Sequence, residues 1–546
     1  MTRLHRFAPL LSLGLLLGCP AAEPEPEPEP TPAPPTYCEA LELPERAFQT
    51  DGDFGSTRWK LANDFTIELI DRTEWTLSEQ WTGCDSYTFI PDSFALSQLD
   101  NSPLWENDGV LGIIEQSARN VHYFFISTEA SNSLAGPALE TMAERIEEDL
   151  EELDEEDAAW WREHLHVVRG RAGAREDWIP GAMNAGRDGF TIDRFQRVRE
   201  IGSLADVERF SSALQNAGAW PWENNLSSIA FENRYYNYEA TRQDYLDAQT
   251  DVTIVKAFSG EVLGLQAFAE VDFPTGAALE AFDTLEIDLQ MWCPDQVDQE
   301  TSNCGAWDYL SHIYMRPAGT EEGGWVEVAR FITTYHRAGR YLVDATPLLS
   351  QFPEGTVEVR YDISPSWNPQ AYLTEMDFRF SNQGKGMRPS GATTRLWDGK
   401  GFNSAYNDDR EDITATIPAT AQKVEIWALI TGHGGATNNC AEFCNHQHEW
   451  TIGSDVFFHE HDTIGNDTFC RDAVDQGVVP NQSGTWWFGR GGWCPGQEVQ
   501  PVVFDVTDSV TPGSDATISY RGLFNNGAIP DDSGNIRMTS WLVVYE

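Results

Sequence analysis

The chain has 546 residues and a formal net charge of −51 at pH 7, a length that allows about three domains of ordinary size. Hydrophobic residues make up 41% of the composition, which excludes a mostly disordered chain, because such chains lack the apolar surface that offsets the entropy of ordering. A surface this acidic repels phosphate backbones, so we expect no nucleic-acid partner.

The N-terminus predicts export. Residues 1–18 combine basic residues with an apolar run at 10–17 that is too short to span a bilayer. The run ends in Leu-Gly followed by Cys19, which resembles a bacterial lipoprotein signal and implies cleavage before Cys19 and lipidation of that residue. An ordinary secretory signal cut near Ala21 or Ala22 is the alternative. Residues 19–37 are rich in Glu and Pro and predict an extended spacer, so we expect a lipid-anchored protein of the cell envelope.

Residues 38–245 alternate between strand and helix signals. The predicted elements, in chain order, are a hairpin at 65–77, a strand at 121–126, a helix at 139–153, a strand at 164–168 and a hairpin that begins near 190. This succession resembles the thioredoxin-like fold of secreted redoxins, with Cys84 in the place of the redox cysteine. Position 87 holds Tyr instead of a resolving Cys, so we interpret the region as a redox-inactive accessory domain that can be removed.

The cysteine count fits an oxidising compartment. The chain has nine cysteines, and setting aside lipidated Cys19 leaves enough for four disulfides. Close spacing predicts that Cys293 pairs with Cys304 and Cys440 with Cys444, which leaves the longer pairs Cys470 with Cys494 and Cys38 with Cys84. The absence of a CxxC motif from the sequence argues against the alternative that the cysteines bind a metal.

From residue 250 onward the sequence changes to many short strands separated by Gly, Pro and Asn turns. Such a pattern predicts two all-β sandwiches of the jelly-roll type. We place the first at 250–385 and the second at 386–546, because the stretch 381–390 is a natural boundary. The predicted fold class is therefore multidomain, with an α/β thioredoxin-like domain followed by two jelly rolls.

Three segments of the β half contain the candidate catalytic and substrate-binding residues. They are Cys304-Gly305-Ala306-Trp307-Asp308, then Cys440-Ala441-Glu442-Phe443-Cys444, and then Arg490-Gly491-Gly492-Trp493-Cys494-Pro495-Gly496. In this order and spacing they resemble the peptide-N-glycosidase F family, whose members are bacterial amidases that remove Asn-linked glycans. The resemblance covers about residues 250–546, and the predicted cysteine pairs of this half coincide with the disulfides of the family.

The resemblance implies hydrolysis of the amide between Asn and the first N-acetylglucosamine, with N-glycosylated proteins or glycopeptides as substrates and no cofactor. Asp308 matches the principal catalytic carboxylate of the family, and Glu442 matches the second. Asp362 matches a third carboxylate by a looser alignment. The substrate-binding positions that the resemblance implies are Trp307, His433, Arg490 and Trp493.

The residues themselves fit this chemistry. Amide hydrolysis needs an activated water, a proton for the leaving nitrogen and donors for the developing oxyanion. Two carboxylates can do the first two jobs if their pKa values are separated. Asp308 follows a Trp close to a predicted disulfide, an apolar setting that raises a carboxyl pKa, and the predicted ring around Glu442 restricts its backbone. The structural alternative for each is an exposed loop carboxylate.

Three departures from the family concern the substrate. Tyr309 replaces a basic residue after the catalytic Asp, and His433 replaces a Trp of the cleft. The loop that ends at Cys304 is longer and adds three acidic residues that we expect to contact the sugar core: Asp295, Asp298 and Glu300. We therefore expect the same bond to be cleaved in a different preferred glycan.

The histidines suggest a competing function. His446-x-His448 and His459-x-His461 place pairs of imidazoles on one face of a strand, an arrangement that binds copper or zinc. It fits a protein that resembles copper-dependent peptide monooxygenases, whose architecture also has two jelly rolls. However, His448 and one of the second pair have counterparts in the metal-independent amidases, so we expect no metal. A third alternative is a catalytically silent glycan-binding lipoprotein, which the presence of both matched carboxylates disfavours.

Overall fold

The structure, a computed structural model, describes residues 36–92, 104–107, 109–185, 189–210, 222–295, 300–301, 303–320, 323–352, 355–434, 440–462, 464–465, 468–531 and 533–546. The predicted signal at 1–18, the lipidation site Cys19 and nearly all of the 19–37 spacer lie outside these residues. Within them, no helix has both the length and the apolar character needed to cross a membrane.

The secondary-structure elements of the described residues are numbered in chain order. The α-helices are α1 (Tyr37–Ala40), α2 (Leu77–Gln80), α3 (Leu104–Asn107), α4 (Leu111–Gln116), α5 (Asn132–Leu150), α6 (Glu155–Arg162), α7 (Ile179–Ala185), α8 (Ala230–Ala248), α9 (Ala277–Glu280), α10 (Cys440–Phe443) and α11 (Phe469–Asp472). The strands before the β half are β1 (Thr66–Glu68), β2 (Glu74–Thr76), β3 (Ser86–Pro91), β4 (Val121–Ser127), β5 (Leu165–Arg171), β6 (Phe190–Ile192), β7 (Val198–Glu200), β8 (Ala205–Phe210) and β9 (Trp222–Asn224).

The strands of the β half fall into two groups of equal size. The first group is β10 (Thr253–Leu263), β11 (Gln266–Phe273), β12 (Thr284–Trp292), β13 (Leu310–Pro317), β14 (Val326–Ile332), β15 (Gly339–Asp344), β16 (Gly355–Asp362) and β17 (Tyr372–Ser381). The second group is β18 (Thr394–Asp398), β19 (Ile413–Thr416), β20 (Lys423–His433), β21 (His446–Ile452), β22 (Asp455–Glu460), β23 (Val502–Asp505), β24 (Asp515–Phe524) and β25 (Asn535–Tyr545).

The N-terminal region is built on a five-stranded sheet in the order β5-β4-β3-β6-β7. The strands β3, β4 and β5 run parallel, whereas β6 and β7 form an antiparallel hairpin beside β3. Helix α5 buries Leu139, Met142, Ile146 and Leu150, whose spacing puts them on one helical face. Both hairpins, both predicted strands and α5 agree with the sequence, whereas β3 and α8 were not predicted. The thioredoxin-like assignment stays a prediction.

The two groups of the β half form two sandwiches with the same topology. The first pairs a sheet β10-β17-β12-β15 with a sheet β11-β16-β13-β14, and the second pairs β18-β25-β20-β23 with β19-β24-β21-β22. In each sandwich the first strand pairs with the eighth and the second with the seventh, all antiparallel. This is the strand order of a jelly roll, so the prediction of two jelly-roll sandwiches is confirmed.

An apolar core joins the two sandwiches. The core of the first sandwich, around Leu289, Phe331 and Phe378, continues into the second through Trp427 and Trp541. A separate core fills the interior of the second sandwich. Burial of apolar surface is the main favourable term in folding. The shared apolar core therefore stabilises the contact between the two sandwiches.

Buried charges fix the N-terminal region to the first sandwich. Arg199 on β7 pairs with Glu239 of α8 at 2.7 Å and with Glu300 at 2.8 Å. Glu300 belongs to the acidic loop that we expected to contact sugar, but its buried carboxylate anchors that loop to the N-terminal region instead. Asp298 lies outside the described residues. The N-terminal region is thus packed into the rest of the chain, which differs from the expected removable domain.

All four predicted disulfides are present. They join Cys38 to Cys84, Cys293 to Cys304, Cys440 to Cys444 and Cys470 to Cys494. Cys84 lies just before β3 and is buried, which agrees with its interpretation as a structural residue.

Candidate active site

Asp308 lies just before β13, in a segment whose backbone is held on both sides. Thr333 Oγ1 donates to the Trp307 carbonyl at 2.6 Å and accepts from the Tyr309 amide at 2.8 Å. Gln370 Oε1 accepts from the Trp307 amide at 2.8 Å. These hydrogen bonds fix the position of the Asp308 carboxylate, as positioned catalysis requires.

Glu442 lies in α10, inside the ring that the Cys440–Cys444 disulfide closes. Its Oε2 accepts a hydrogen bond from the Gly434 amide at 2.7 Å. Its main-chain carbonyl accepts from the Gly491 amide at 2.9 Å. The disulfide and these two bonds leave the Glu442 side chain little freedom.

Arg490 connects the two carboxylates. Its Nη2 lies 3.5 Å from Asp308 Oδ2, and its Nε lies 3.6 Å from Glu442 Oε1. The residue is only 4% exposed, and its Cζ lies 4.8 Å from the centroid of the Trp493 ring. Asp308 comes from the first sandwich and the other two from the second, so this cluster exists only where the sandwiches meet.

Burial raises the pKa of both carboxyls. For Asp308, desolvation outweighs the attraction of Arg490 and a hydrogen bond from Tyr335, so the pKa lies above its usual range. For Glu442, desolvation raises the pKa despite the Gly434 hydrogen bond and Arg490, and the charge of Asp308 adds to the increase. A carboxyl with a raised pKa is a stronger base and a usable acid closer to neutral pH.

Tyr335 is a residue of this cluster that the sequence did not reveal. Its hydroxyl hydrogen-bonds Asp308, and Arg490 Nη2 lies 3.3 Å from the same oxygen. It lies in the loop between β14 and β15, where no motif marks it. A single tyrosine in a loop carries no signal of its own, and only the fold brings it to Asp308.

The structure does not bring Asp362 into contact with the other two carboxylates. Its Oδ1 accepts from Gln266 Nε2 at 2.6 Å, and its Oδ2 lies 3.3 Å from Arg360 Nη2. Asp362 lines a cleft of about 720 Å³ together with Tyr309, the neighbour of Asp308. The second sandwich contributes polar residues to this cleft, including Arg395, Asp398 and Arg537.

Two exposed tryptophans flank the same region. Trp307 is 47% exposed and Trp367 is 76% exposed. Trp367 lines the cleft, and its ring lies 5.4 Å from that of Tyr309. Exposed indole faces suit stacking on sugar rings. Trp307 was predicted as a substrate-binding residue, whereas Trp367 was not predicted from the sequence.

Trp493 and His433 lie behind Arg490. Trp493 is buried, and its Nε1 donates to the Gly432 carbonyl at 2.8 Å. The His433 ring stacks on it with the centroids 5.3 Å apart, and its Nε2 lies 2.8 Å from Thr431 Oγ1. This placement favours a supporting role for both rings, and their predicted contact with sugar stays a prediction.

Three of the four histidines noted in the sequence come together beside this site. His446, His448 and His461 each offer a nitrogen within 4.8 Å of the others. The Nδ1 of His446 lies 2.9 Å from the Nε2 of His448, whose Nδ1 lies 2.7 Å from Tyr520 Oη. These imidazoles could hold a metal ion, so the copper or zinc alternative keeps a structural basis.

Comparisons with known proteins point to one family. Residues 401–543 match the family model described as "Peptide-N-glycosidase F, C terminal". The peptide-N(4)-(N-acetyl-beta-D-glucosaminyl)asparagine amidase F of Elizabethkingia miricola is 26% identical over 291 residues, which are 49% of this chain and 76% of that protein. The family match and this relative support a relationship with the peptide-N-glycosidase F family.

Solved structures of such amidases resemble part of the chain. A crystal structure of a peptide-N(4)-(N-acetyl-beta-D-glucosaminyl)asparagine amidase is 20% identical, with a TM-score of 0.44, and the match covers 54% of this chain and 96% of that one. PNGase F of Flavobacterium meningosepticum, described as a glycosylasparaginase, is 19% identical, with a TM-score of 0.41 and the same coverage.

Proposed function

We propose that this protein hydrolyses the amide bond between Asn and the first N-acetylglucosamine of an N-linked glycan. The observation that carries the proposal is the contact of buried Arg490 with both Asp308 and Glu442. The name of the Elizabethkingia relative, an amidase that acts on N-acetylglucosaminyl asparagine, supports it. The substrates are N-glycosylated proteins or glycopeptides.

In the proposed reaction, Asp308 accepts a proton from a water molecule whose oxygen attacks the side-chain carbonyl carbon of the glycosylated Asn. Arg490 stabilises the negative charge that develops on the carbonyl oxygen. Its guanidinium lies within 3.6 Å of both carboxylates, so its positive charge lies beside the reacting groups. The carbon–nitrogen bond then breaks while protonated Glu442 gives its proton to the leaving nitrogen. The products are an Asp residue and a glycosylamine, which loses ammonia in water.

The cleft beside this cluster provides the proposed sugar site. It carries carboxylates and guanidinium groups from both sandwiches, which suit hydrogen bonding to sugar hydroxyls, and the exposed Trp367 at its edge. Asp362 is part of this cleft rather than of the reacting cluster, so we assign it to binding. The altered position Tyr309, which lines this cleft, supports a glycan preference that differs from that of the relatives.

The experiment that tests the proposal is incubation of the purified protein with a panel of N-glycopeptides, followed by mass spectrometry of the peptide. Amide hydrolysis leaves a peptide about 1 Da heavier than its unglycosylated Asn form, or about 3 Da heavier in heavy-oxygen water, as expected for water attack on the amide. Asp308→Asn protein is the control. Cleavage between the two core sugars leaves N-acetylglucosamine on the peptide and contradicts the proposal. Binding without any release identifies a silent glycan-binding protein.

We propose in addition that Cys19 carries a lipid anchor that holds the protein at the cell envelope. The short apolar run before Cys19 and the Glu- and Pro-rich spacer after it support this. Cys19→Ala should move the protein from the membrane to the soluble fraction when cells are fractionated. Identical soluble behaviour of both forms contradicts the anchor.

A further inference from the structure

A second cluster of buried ligand atoms lies in the N-terminal region, outside the proposed active site. Asp85 precedes β3, His122 lies on β4 and His164 precedes β5, so three neighbouring strands bring these side chains to one place. Each offers one ligand atom, and the three atoms lie within 4.8 Å of one another. Asp85 is fully buried and both histidines are buried as well.

The hydrogen bond of His164 leaves a free lone pair on the nitrogen that faces the cluster. Its Nδ1 lies 2.7 Å from the Trp160 carbonyl oxygen, which can only accept, so Nδ1 carries the proton. The Nε2 is then unprotonated, and it lies 3.5 Å from the Tyr37 hydroxyl, which in turn donates to Asp85 Oδ1 at 2.8 Å. A carbonyl behind one nitrogen is the usual support of a metal-binding His.

His122 has a similar arrangement. Its Nε2 lies 3.5 Å from Asp85 Oδ2, and its Nδ1 lies 3.0 Å from the Nε2 of His166. A second imidazole thus fixes the ring of His122 from behind, while the other nitrogen faces the carboxylate. Both histidines therefore direct one nitrogen toward Asp85.

The polar contacts of the buried Asp85 carboxylate within the described residues are mostly with neutral groups. Its oxygens accept hydrogen bonds from the Tyr37 and Thr82 hydroxyls, each at 2.8 Å. Within the described part of the chain, His122 is the only basic side chain in ion-pair range of it. Buried carboxylates in proteins are paired with a cation or coordinate a metal, and a divalent cation between these three side chains would supply that charge.

We propose that Asp85, His122 and His164 bind a divalent transition metal, with Zn²⁺ as the ion. Two imidazoles and one carboxylate are a ligand set that Zn²⁺ accepts, and Zn²⁺ imposes no preference of geometry from its d-electrons. Tyr37 stacks on Trp160 with the ring centroids 5.7 Å apart and covers the cluster. The Cys38–Cys84 disulfide joins the neighbours of Tyr37 and Asp85, so it holds this cover in place. The ion would tie together the beginnings of the three neighbouring strands β3, β4 and β5.

The test uses the full-length chain stripped of metal with a chelator and dialysed. Zn²⁺ titration with elemental analysis should give one equivalent that depends on this cluster, and the thermal unfolding midpoint should rise with Zn²⁺ concentration. Co²⁺ used as a spectroscopic probe should show ligand-field absorption. A folded chain that gives neither the Co²⁺ absorption nor the rise in midpoint overturns the proposal without any variant.

Two substitutions and one control locate the ion. Asp85→Asn and His164→Gln each keep the size of the side chain and should weaken Zn²⁺ binding by at least about tenfold, with folding checked by circular dichroism. His461→Gln removes a buried imidazole of the cluster of His446, His448 and His461. It should not change the one equivalent of Zn²⁺ that Asp85, His122 and His164 bind. Loss of Zn²⁺ only in His461→Gln, or unchanged binding by folded Asp85→Asn, overturns the proposal.

Discussion

The Oε1 atom of Glu232 lies 3.0 Å from Nη1 of Arg337, and both side chains are buried. Glu232 belongs to α8 of the N-terminal region, and Arg337 lies in the loop between β14 and β15, two residues after Tyr335. Asn481 of the second sandwich domain donates to the same Glu232 oxygen at 2.8 Å. One carboxylate therefore links all three parts of the chain, and it does so next to the loop that brings Tyr335 to Asp308.

We expect Glu232→Ala to destabilise the protein by about 3–5 kcal/mol, because removal of one partner leaves the guanidinium of Arg337 buried and unpaired. Urea unfolding measures the change. We also expect the proposed amidase activity to fall, because the loop that carries Tyr335 loses its support. Glu147→Ala is the matched control, since Glu147 pairs with Arg162 on the surface and such pairs are worth under about 1 kcal/mol. Equal stability of both variants contradicts this expectation.

The same linkage predicts the outcome of a deletion. Removal of residues 38–245 exposes Arg337 and the aromatic cluster in which Phe231 and Tyr235 of α8 pack against Trp486 and Trp487. We expect the truncated chain to be insoluble or inactive on small glycopeptides. Near-full activity of a soluble, folded truncation would show that the N-terminal region is removable after all.

We expect Asp308→Asn to lower kcat by about a hundredfold or more, because the substitution keeps the shape but removes the base. Asp362→Asn should act mainly on KM, because Asp362 lines the cleft and does not touch the reacting cluster. Steady-state kinetics on one glycopeptide compare the two variants. If Asp308→Asn keeps near-full activity while folded, Asp308 is not the base.

Arg490→Lys keeps the positive charge but loses the planar fork that reaches both carboxylates. We expect the loss in kcat to be on the order of 10²–10³, the usual effect of removing an oxyanion donor. Trp493→Phe is the comparison, because it alters only the ring beneath the guanidinium and should have a smaller effect. Equal losses in the two variants would mean that Arg490 acts through packing rather than through its hydrogen bonds.

Much of the fold of the β half could be predicted from the sequence, because each jelly roll consists of short strands separated by recognisable turns. The three segments that contain Asp308, Glu442 and Arg490 were recognisable from their cysteines and glycines. Functional residues that lie outside such motifs could not be recognised from the sequence. Tyr335, Trp367 and Glu232 act through contacts with partners far away in sequence, and β3 is buried on both faces, so it lacks the alternation that marks a strand.

The expected role of Glu300 differs from the one in the structure, and the role of Trp493 stays open. In both cases the burial of the side chain depends on contacts between distant parts of the chain. An acidic residue in a loop between cysteines suggests exposure, and only the fold shows that Arg199 reaches Glu300 from the N-terminal region. A Trp in a glycine-rich motif suggests a binding platform, whereas its actual burial depends on how the two sandwiches pack. The sequence pattern identifies residues such as Glu300 and Trp493 as unusual, but their contacts in the folded chain determine their roles.

Glu498 gives a prediction for the pH dependence of stability. Its carboxyl is buried, and burial raises its pKa to about 7. Gln500 Nε2 donates to its Oε1 at 3.0 Å, a bond that Glu498→Gln can keep. In the unfolded chain the pKa of Glu is about 4.3. The folded state therefore holds the proton more tightly than the unfolded state does.

The sign of the effect follows from this difference. Below about pH 4 both states are protonated and Glu498 adds no electrostatic penalty. Between pH 4 and 7 the unfolded state loses its proton first, so the free energy of unfolding falls as pH rises, and above pH 7 the penalty is complete. We expect Glu498→Gln to be more stable than the original chain by about 2–4 kcal/mol at pH 8 and nearly equal to it at pH 4. Urea unfolding at both pH values measures this, with the exposed Glu152→Gln as control, and a difference that does not change with pH would contradict the assignment.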